Sequence, residues 1–459
     1  MKPYPDTPSI ERLRELPAER LTHLFGVAQV LDDTQYLHWE GLRHRTPPKG
    51  LSILEWWLAL KLKRIGNRLS FPALTSKRGS SLTVSRHARL DAGFAAMDRR
   101  LTGPLAVPDA VRNQATRDRY LASSLMEEAI HSSLFEGAVS TRESAKDMLR
   151  SNRRPINKDE QMILNNHKAM LRLRDMARAP LTLDCVLELH RILTEGTLKN
   201  PDQAGRLQKP GETRVNVIDD RVGRIVHTPP PAEELPTRMA KLIDFANGAD
   251  AENGQYVHPV LRSILLHFQL GYDHPFADGN GRTARALFYW SLLRRDYWLV
   301  EYLSISRPIY RARQPYELAF VQVESDAQDA TYFVLQQLGV IEQATNDLFE
   351  YVERKNQEHG SLQRQLQNQP DLNHRQIALL GHALRHPDAV YTHDSHANSH
   401  RVSGVTARSD LLKLAERGWL IAPKSGKRSI YQPVDNLDVL LTRRGQTSTA
   451  SSTRSDSAR

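Results

Sequence analysis

The chain has 459 residues, enough for two to four domains with sizeable cores. Its 63 Lys and Arg against 53 Asp and Glu leave a net charge of +10, a moderate basic excess that favours acidic partners or nucleic acid without specifying an activity. The single cysteine, Cys185, excludes an intramolecular disulfide, no apolar run reaches membrane-spanning length and the polar start lacks a secretory pattern, so a reducing, cytoplasmic setting is expected.

Residues 1–110 read as a helical accessory region. Within it Ile53, Leu54, Trp56, Trp57, Leu60 and Leu62 form an amphipathic segment, with the Trp pair as packing and not as a base-stacking surface. From Val111 to Phe135 a second helical pattern carries Tyr120, Leu121, Leu125, Ala129 and Leu134, and Gly137 stops it. Ser132 and Glu136 lie four apart near its end and share a face. Helical patterns continue through Met162, Leu164, His167 and Leu171, then from Leu181 to Leu193, where Cys185 reads as an inert thiol and His190 as a packed histidine. Val215, Val217 and Ile218, a turn at Asp219-Asp220, then Ile225, Val226 and His227 read as a β-hairpin.

The stretch from His274 to Arg285 carries the chemistry. Upstream, Leu261, Ile264, Leu265 and Phe268 mark one face of a buried helix running to about Tyr272. Pro275 disfavours helical geometry before it and so leaves His274 at the mouth of a loop. Gly279, Asn280 and Gly281 all tolerate positive φ, and are expected to form a nest of inward N–H groups. A helix with Ala284, Leu287 and Phe288 follows at once and directs its positive dipole end at the loop. Arg282 and Arg285 reach the same side, so the site suits a polyphosphate. Asp278 among these cations is best explained by Mg²⁺, which is held by one or two carboxylates together with phosphate oxygens. A neutral His274 then suits a general base, and the expected chemistry is phosphoryl or nucleotidyl transfer. A metal cluster of His258, His267 and His274 with Asp273 is the weaker reading, because the three histidines spread over the start, middle and exit of one helix.

Beyond the motif, Tyr310, Tyr316, Phe320, Tyr332, Phe333 and Leu338 suggest two closing helices, with Tyr316 as core packing. Residues 346–372 are polar and read as a connecting helix and linker. In 373–433 a helix with Ile377, Leu380, Ala383 and Leu384 precedes a helix capped by Ser403 and carrying Leu411, Leu412 and Leu414. Trp419-Leu420-Ile421 and Ser429-Ile430-Tyr431 then flank a basic tip from Lys424 to Arg428. Residues 434–459, rich in Ser, Thr and Arg, are expected to be disordered.

At His274, Phe276, Asp278, Gly279, Asn280, Gly281, Arg282 and Arg285 the sequence resembles the Fic family, whose motif is His-x-Phe-x-Asp/Glu-Gly-Asn-Gly-Arg-x-x-Arg. The resemblance implies a mainly α fold with a helical core over 111–345 and a β-hairpin flap. It implies a protein adenylyltransferase that moves AMP from ATP to a Ser, Thr or Tyr hydroxyl of a target protein. His274 would be the base, Asp278 the Mg²⁺ ligand, and Asp278, Gly279, Asn280, Gly281, Arg282, Thr283, Ala284 and Arg285 the nucleotide-binding residues. Ser132, Glu136 and Gly137 match the family's inhibitory helix, placed here within 111–137, and Glu136 is expected to pair with Arg285. The flap would align the target by main-chain pairing.

The surroundings of Tyr36, Trp39, Trp56 and Trp57 are similar to the N-terminal region of longer Fic proteins. Relatives carry a nucleotide-contacting Asn after the motif, whereas this chain reads Arg311-Ala312-Arg313-Gln314-Pro315-Tyr316 there. Residues 373–433, with the string Thr406 to Leu411, resemble a winged helix-turn-helix. Arg401, Arg408, Lys413, Lys424, Lys427 and Arg428 give it charge, diluted by Asp410 and Glu416, and DNA contact and protein docking both stay open. Also open are another phosphate-containing donor, removal of AMP, a DNA-bound regulator whose core senses nucleotide, and a homodimer.

Overall fold

The computed structural model describes residues 7–103, 114–219, 223–248, 256–367, 371–386, 389–422, 424–425, 428–435, 437–438 and 440–441. The chain divides into two units, one of residues 1–106 with 121–346 and the other of residues 107–120 with 347–459. In the first, α1 (Ala18–Val30) packs on α2 (Ile53–Ile65), which starts at a capping box between Ser52 and Glu55. Trp57 is fully buried and donates its Nε1–H to the Pro8 carbonyl at 3.0 Å, while Trp56 lines the same core. The Trp pair is packing, as the helical spacing requires.

The region up to residue 110 is not wholly helical. An antiparallel hairpin, β1 (Arg68–Thr75) and β2 (Ser81–Ser85), buries Phe71, Leu74, Leu82 and Val84. Its alternation is masked in the sequence by Pro72 and by a register shift between Phe71 and Thr75, two features that break the period of a strand. After α3 (Ala88–Leu101) the same unit continues into the core. Buried polar contacts tie the N-terminal segment to the 326–332 stretch: Lys61 Nζ lies 2.8 Å from Asp326 Oδ1, and Tyr36 donates to Asp329 Oδ2 at 2.7 Å.

The core runs through α4 (Gln114–Phe135), α5 (Arg142–Ser151), α6 (Lys158–Met176), α7 (Leu183–Thr194), the hairpin of β3 (Val217–Asp219) and β4 (Arg224–His227), α8 (Leu235–Asn247), α9 (Pro259–Asp273) and α10 (Asn280–Leu293). α9 and α10 form the central pair, with α8 on α9 and with α6 and α7 on α10. Burial on nearly every side is what an all-round apolar helix requires, and α9 is buried except at Pro259 and Gly271. α11 (Ser306–Arg311), α12 (Arg313–Ser325) and the first part of α13 (Thr331–Gln367) close the core. Phe268, Phe320 and Phe333 meet there with centroids 4.6–5.2 Å apart, and Tyr316 is buried beside them. Residues 346–367 of the expected linker are the continuation of α13.

The second unit holds α14 (His374–Arg385), β5 (Tyr391–Thr392), α15 (His393–His400), α16 (Gly404–Glu416), β6 (Leu420–Ile421), β7 (Lys424–Ser425) and β8 (Arg428–Pro433), with β8 pairing to each of the other three strands. Leu380, Leu411, Leu414, Trp419 and Tyr431 form its core. α15 was invisible to periodicity because His393 to His400 has no apolar stripe; a Thr392 capping box starts it and His396 Nε2 lies 3.2 Å from Asp410 Oδ2. Asp410 is buried and also accepts from Arg375 Nε and Asn373 Nδ2, both at 2.7 Å. It therefore does not dilute the basic face as the sequence reading expected, whereas Arg408, Lys413 and Glu416 are exposed. Val111 to Asn113, Asp220, Gly426 and Lys427 of the basic tip, and 442–459 of the tail lie outside the described residues. Among the described residues no helix is long and apolar enough to cross a membrane.

Candidate active site

α9 ends one residue before the motif's histidine. His274 takes a left-handed conformation with φ 48°, and its N–H closes the helix on the Leu270 carbonyl at 3.0 Å. Its Nδ1 lies 3.2 Å from the Gly271 carbonyl, which can only accept, so Nδ1 carries the hydrogen and Nε2 keeps its lone pair. Burial pushes the imidazole pKa down to about 4, so the ring is neutral at physiological pH.

The loop that follows is held from within. Asn280 accepts from Phe276 N–H at 2.9 Å and donates to the Phe276 carbonyl at 2.8 Å, so both ends of its amide are committed to the loop. Gly279 has φ 82°, and a Cβ there would meet Thr194 Cγ2 at 2.8 Å. The helix already begins at Asn280, so of the three residues expected to take positive φ only Gly279 does. Gly281 is required for a different reason: a Cβ on it would collide with Oε1 of Glu136. Thr283 donates its hydroxyl to the Gly279 carbonyl at 2.8 Å, and Ala284 is buried in the core.

Charges are distributed unevenly. Arg282 is buried and bridges the Leu193 carbonyl at 3.0 Å and Asp278 Oδ1 at 3.1 Å. The Asp278 side chain is about half exposed, 48% by area, and so presents its carboxylate at the site's mouth. Arg285 is also buried; its Nη2 donates to the Ser132 hydroxyl at 2.9 Å, the Ser132 carbonyl at 3.1 Å and Glu136 Oε1 at 2.8 Å. Its Nη1 has no partner and faces the Gly281 position at 3.1 Å. Ser132, Glu136 and the α10 start thus converge, and Gly137, at φ 93°, terminates α4. Asn166 donates to Ser133 and Glu128 accepts from Ser306 N–H at 2.9 Å, which fixes α4 in place.

The other histidines do not converge with Asp273 on a metal. His258 caps α9 and lies 3.2 Å from Asp98 Oδ2, and His267 is buried against the Tyr316 hydroxyl at 2.9 Å. Among the described residues no group of three or more potential ligands is placed to hold a metal.

One positioning residue was read only as packing. His190 is fully buried and stacks on Phe276 at 3.8 Å; its Nε2–H donates to the Asp278 carbonyl, and its Nδ1 accepts from Gly205 N–H, both at 2.9 Å. It supports the loop from beneath, and a lone helical histidine gives no sequence signal of that. Burial pushes its pKa down to about 4, as for His38, and that of His267 to about 3. An unfolded imidazole binds its proton near pH 6.5, while the folded His190 and His38 refuse it until about pH 4 and His267 until about pH 3, so unfolding takes up protons as pH falls. Stability from His190 and His38 is fully present above pH 6.5 and is lost between 6.5 and about 4, and that from His267 down to about 3, on the order of 3 kcal/mol for His190 alone. Thermal melts are expected to show Tm dropping steadily over that window; a flat Tm would contradict neutral burial.

The flap lies beside the motif. His227 Nε2 is 2.7 Å from the Tyr272 carbonyl, Gln208 N–H donates to the Pro275 carbonyl at 2.9 Å, and Arg214 Nη2 donates to the Asp273 carbonyl at 2.7 Å. β3 and β4 pair only with each other among the described strands, so an outer edge is available.

A neutral histidine, a half-exposed carboxylate and a helix N-terminus follow one another from His274 to Asn280, an arrangement of the loop-to-helix kind that can accept a phosphate. Residues 180–292 match the model of the Fic/DOC family. The protein adenylyltransferase Fic of Nematostella vectensis is 36% identical over 117 residues, 26% of this chain and 24% of that protein. The adenylyltransferase fic-1 of Caenorhabditis elegans is 32% identical over 117 residues, 26% of this chain and 20% of that one. The chain thus spans about a quarter of the length of the curated relatives it matches. A solved Fic family protein from Desulfovibrio desulfuricans G20 aligns over 76% of this chain and 97% of its own, with TM-score 0.48 and 20% identity.

Proposed function

We propose that the chain is a protein adenylyltransferase restrained by Glu136. The observation that carries this reading is a neutral His274 whose Nε2 lone pair is left for a substrate, one loop away from the N–H groups at the start of α10. A hydroxyl on a target protein attacks the α-phosphorus of ATP and gives its proton to His274 Nε2; the new bond is P–O to the target, and pyrophosphate leaves. The α10 N-terminus and Arg285 hold the phosphates. The donor set at Asp278 fits Mg²⁺, since Oδ1 is engaged by Gly279 N–H and Arg282 while the carboxylate as a whole is half exposed. Bound there, the ion would neutralise phosphate charge. A target segment in extended form would pair with the flap's outer edge, and its Ser, Thr or Tyr would be presented to His274. The names of the matched relatives support the reaction type, and the single cysteine supports a reducing, cytoplasmic setting.

The test is incubation of the full chain and Glu136→Gly with ATP labelled on either the α or the γ phosphorus, with Mg²⁺ and cell lysate. Protein label from α alone supports AMP transfer. Label from γ means phosphoryl transfer, and loss of AMP from a pre-labelled target means removal. No label from either rules out ATP as donor.

The inward turn of Asp410 favours a second reading for the 373–433 unit, because it leaves Arg408 and Lys413 on the exposed face of α16. We propose DNA contact by that face; a salt-dependent affinity that survives deletion of 373–433 would reject it.

A further inference from the structure

The two residues before His274 are held by three separate parts of the chain. Asp273 is buried, and its Oδ1 accepts from Arg238 Nε of α8 at 2.8 Å and from Gln269 Nε2 at 2.9 Å. The same two donors also bind the main chain of β1: Gln269 Nε2 donates to the Thr75 carbonyl at 3.0 Å, and Arg238 Nη2 donates to it as well. One residue further along the hairpin turn, Arg238 Nη1 reaches the Ser76 carbonyl at 3.4 Å. Next, Lys77 N–H donates to the Tyr272 hydroxyl at 3.0 Å, and Lys77 Nζ donates to the Thr228 carbonyl at the base of the flap at 3.2 Å. The carbonyls of Tyr272 and Asp273 accept from His227 and Arg214 of the flap region. Thus side chains and carbonyls of both residues are fixed from α8, the N-terminal hairpin and the flap.

Immediately after them, His274 sits in a left-handed conformation that an L residue with a Cβ adopts only when its surroundings over-determine it. The anchoring of Tyr272 and Asp273 supplies that constraint. It also sets the ring on the Gly271 carbonyl, and so decides which nitrogen is left as a base. We propose that Asp273 is the positioning residue for His274, and that the turn from Thr75 to Lys77 is thereby part of the catalytic apparatus, outside the segment that matches the family. Freed of Asp273, the end of α9 loosens, His274 leaves the left-handed region, and Nε2 moves away from the line of attack. An error of about 1 Å at such a group costs on the order of a hundredfold in rate.

The kinetic arm of the test rests on the adenylyl-transfer reading; a second arm does not. In the Glu136→Gly background, Asp273→Ala is expected to lower kcat by about 100-fold with the KM for ATP little changed, because the phosphate donors of α10 are untouched. Tyr272→Phe removes only the link to Lys77 N–H, and is expected to lower kcat by about fivefold, again with KM steady. Asp273→Leu with Arg238→Met removes both charges of the buried pair, and should restore Tm towards the parent without restoring kcat. For the second arm, ¹⁵N spectra of histidine-labelled protein, with His274 identified by a His274→Gln control, report its tautomer; Asp273→Ala is expected to change that signal.

An unchanged kcat in Asp273→Ala, a KM rising in step with the loss, or a double variant that regains kcat along with Tm would overturn the proposal. If Asp273→Ala does not fold, Tyr272→Phe decides by the same split, and unchanged kinetics there overturn it. Should the parent transfer no AMP, the reaction reading falls and the spectra decide alone: an altered His274 signal upholds the positioning role, and an unaltered one ends it.

Discussion

Glu136→Gly is expected to raise AMP transfer by about ten- to a hundredfold in a protein that remains folded. The Glu136 carboxylate holds Arg285 Nη2 at 2.8 Å, and its Oε1 is close enough to Gly281 to clash with a Cβ there. It therefore stands at the positive end of α10, where the proposed reaction would place a phosphate oxygen, and the helix dipole that would favour the phosphate favours the carboxylate instead. A charge-assisted hydrogen bond contributes about 1.5–3 kcal/mol, which gives the stated range once converted at about 1.4 kcal/mol per tenfold. Glu136→Gln separates the two parts of the effect, since it keeps the volume over Gly281 and removes the charge. An intermediate rise means both matter. Label transfer from α-labelled ATP, with Tm as the folding control, is the measurement; no rise in either variant removes the restraining role.

What the sequence made legible was local. The motif is twelve consecutive residues, and its following helix, its Gly279 turn and its exit from α9 follow from Pro275, the glycines and the apolar spacing alone. The flap hairpin was legible because two short runs of β-branched residues flank a turn. The pairing of Glu136 with Arg285 joins positions 149 residues apart, and only the resemblance, not periodicity, foretold it. Gly281 looked like a turn residue and is instead a close-approach residue, a distinction that needs the neighbour to be seen. The hairpin at 68–85 was hidden by Pro72 and a register shift, and with it the contacts of Thr75 and Lys77 to the end of α9. Asp410 was misread because a polar side chain turned inward has the same one-letter code as one turned outward, and only its partners distinguish them; His190 is packed as read, but its hydrogen bonds to the loop could not be read from spacing.

Within the Glu136→Gly background, His274→Ala is expected to lower transfer by about 10²–10⁴-fold while ATP binding is retained. The proposed phosphate donors, the α10 main chain and Arg285, do not run through the imidazole, so affinity and rate separate. Alanine alone leaves an ambiguity, because position 274 is left-handed at φ 48° and an alanine there is strained. A drop in rate could then arise from a displaced loop. His274→Asn resolves it: Asn tolerates that conformation, so the loop keeps its path, but its amide offers no basic nitrogen. Equal losses in Ala and Asn, with equilibrium nucleotide binding intact in both, assign the effect to proton abstraction. An Asn variant that keeps near-parental transfer would mean that the backbone at 274 matters and that the base is another group.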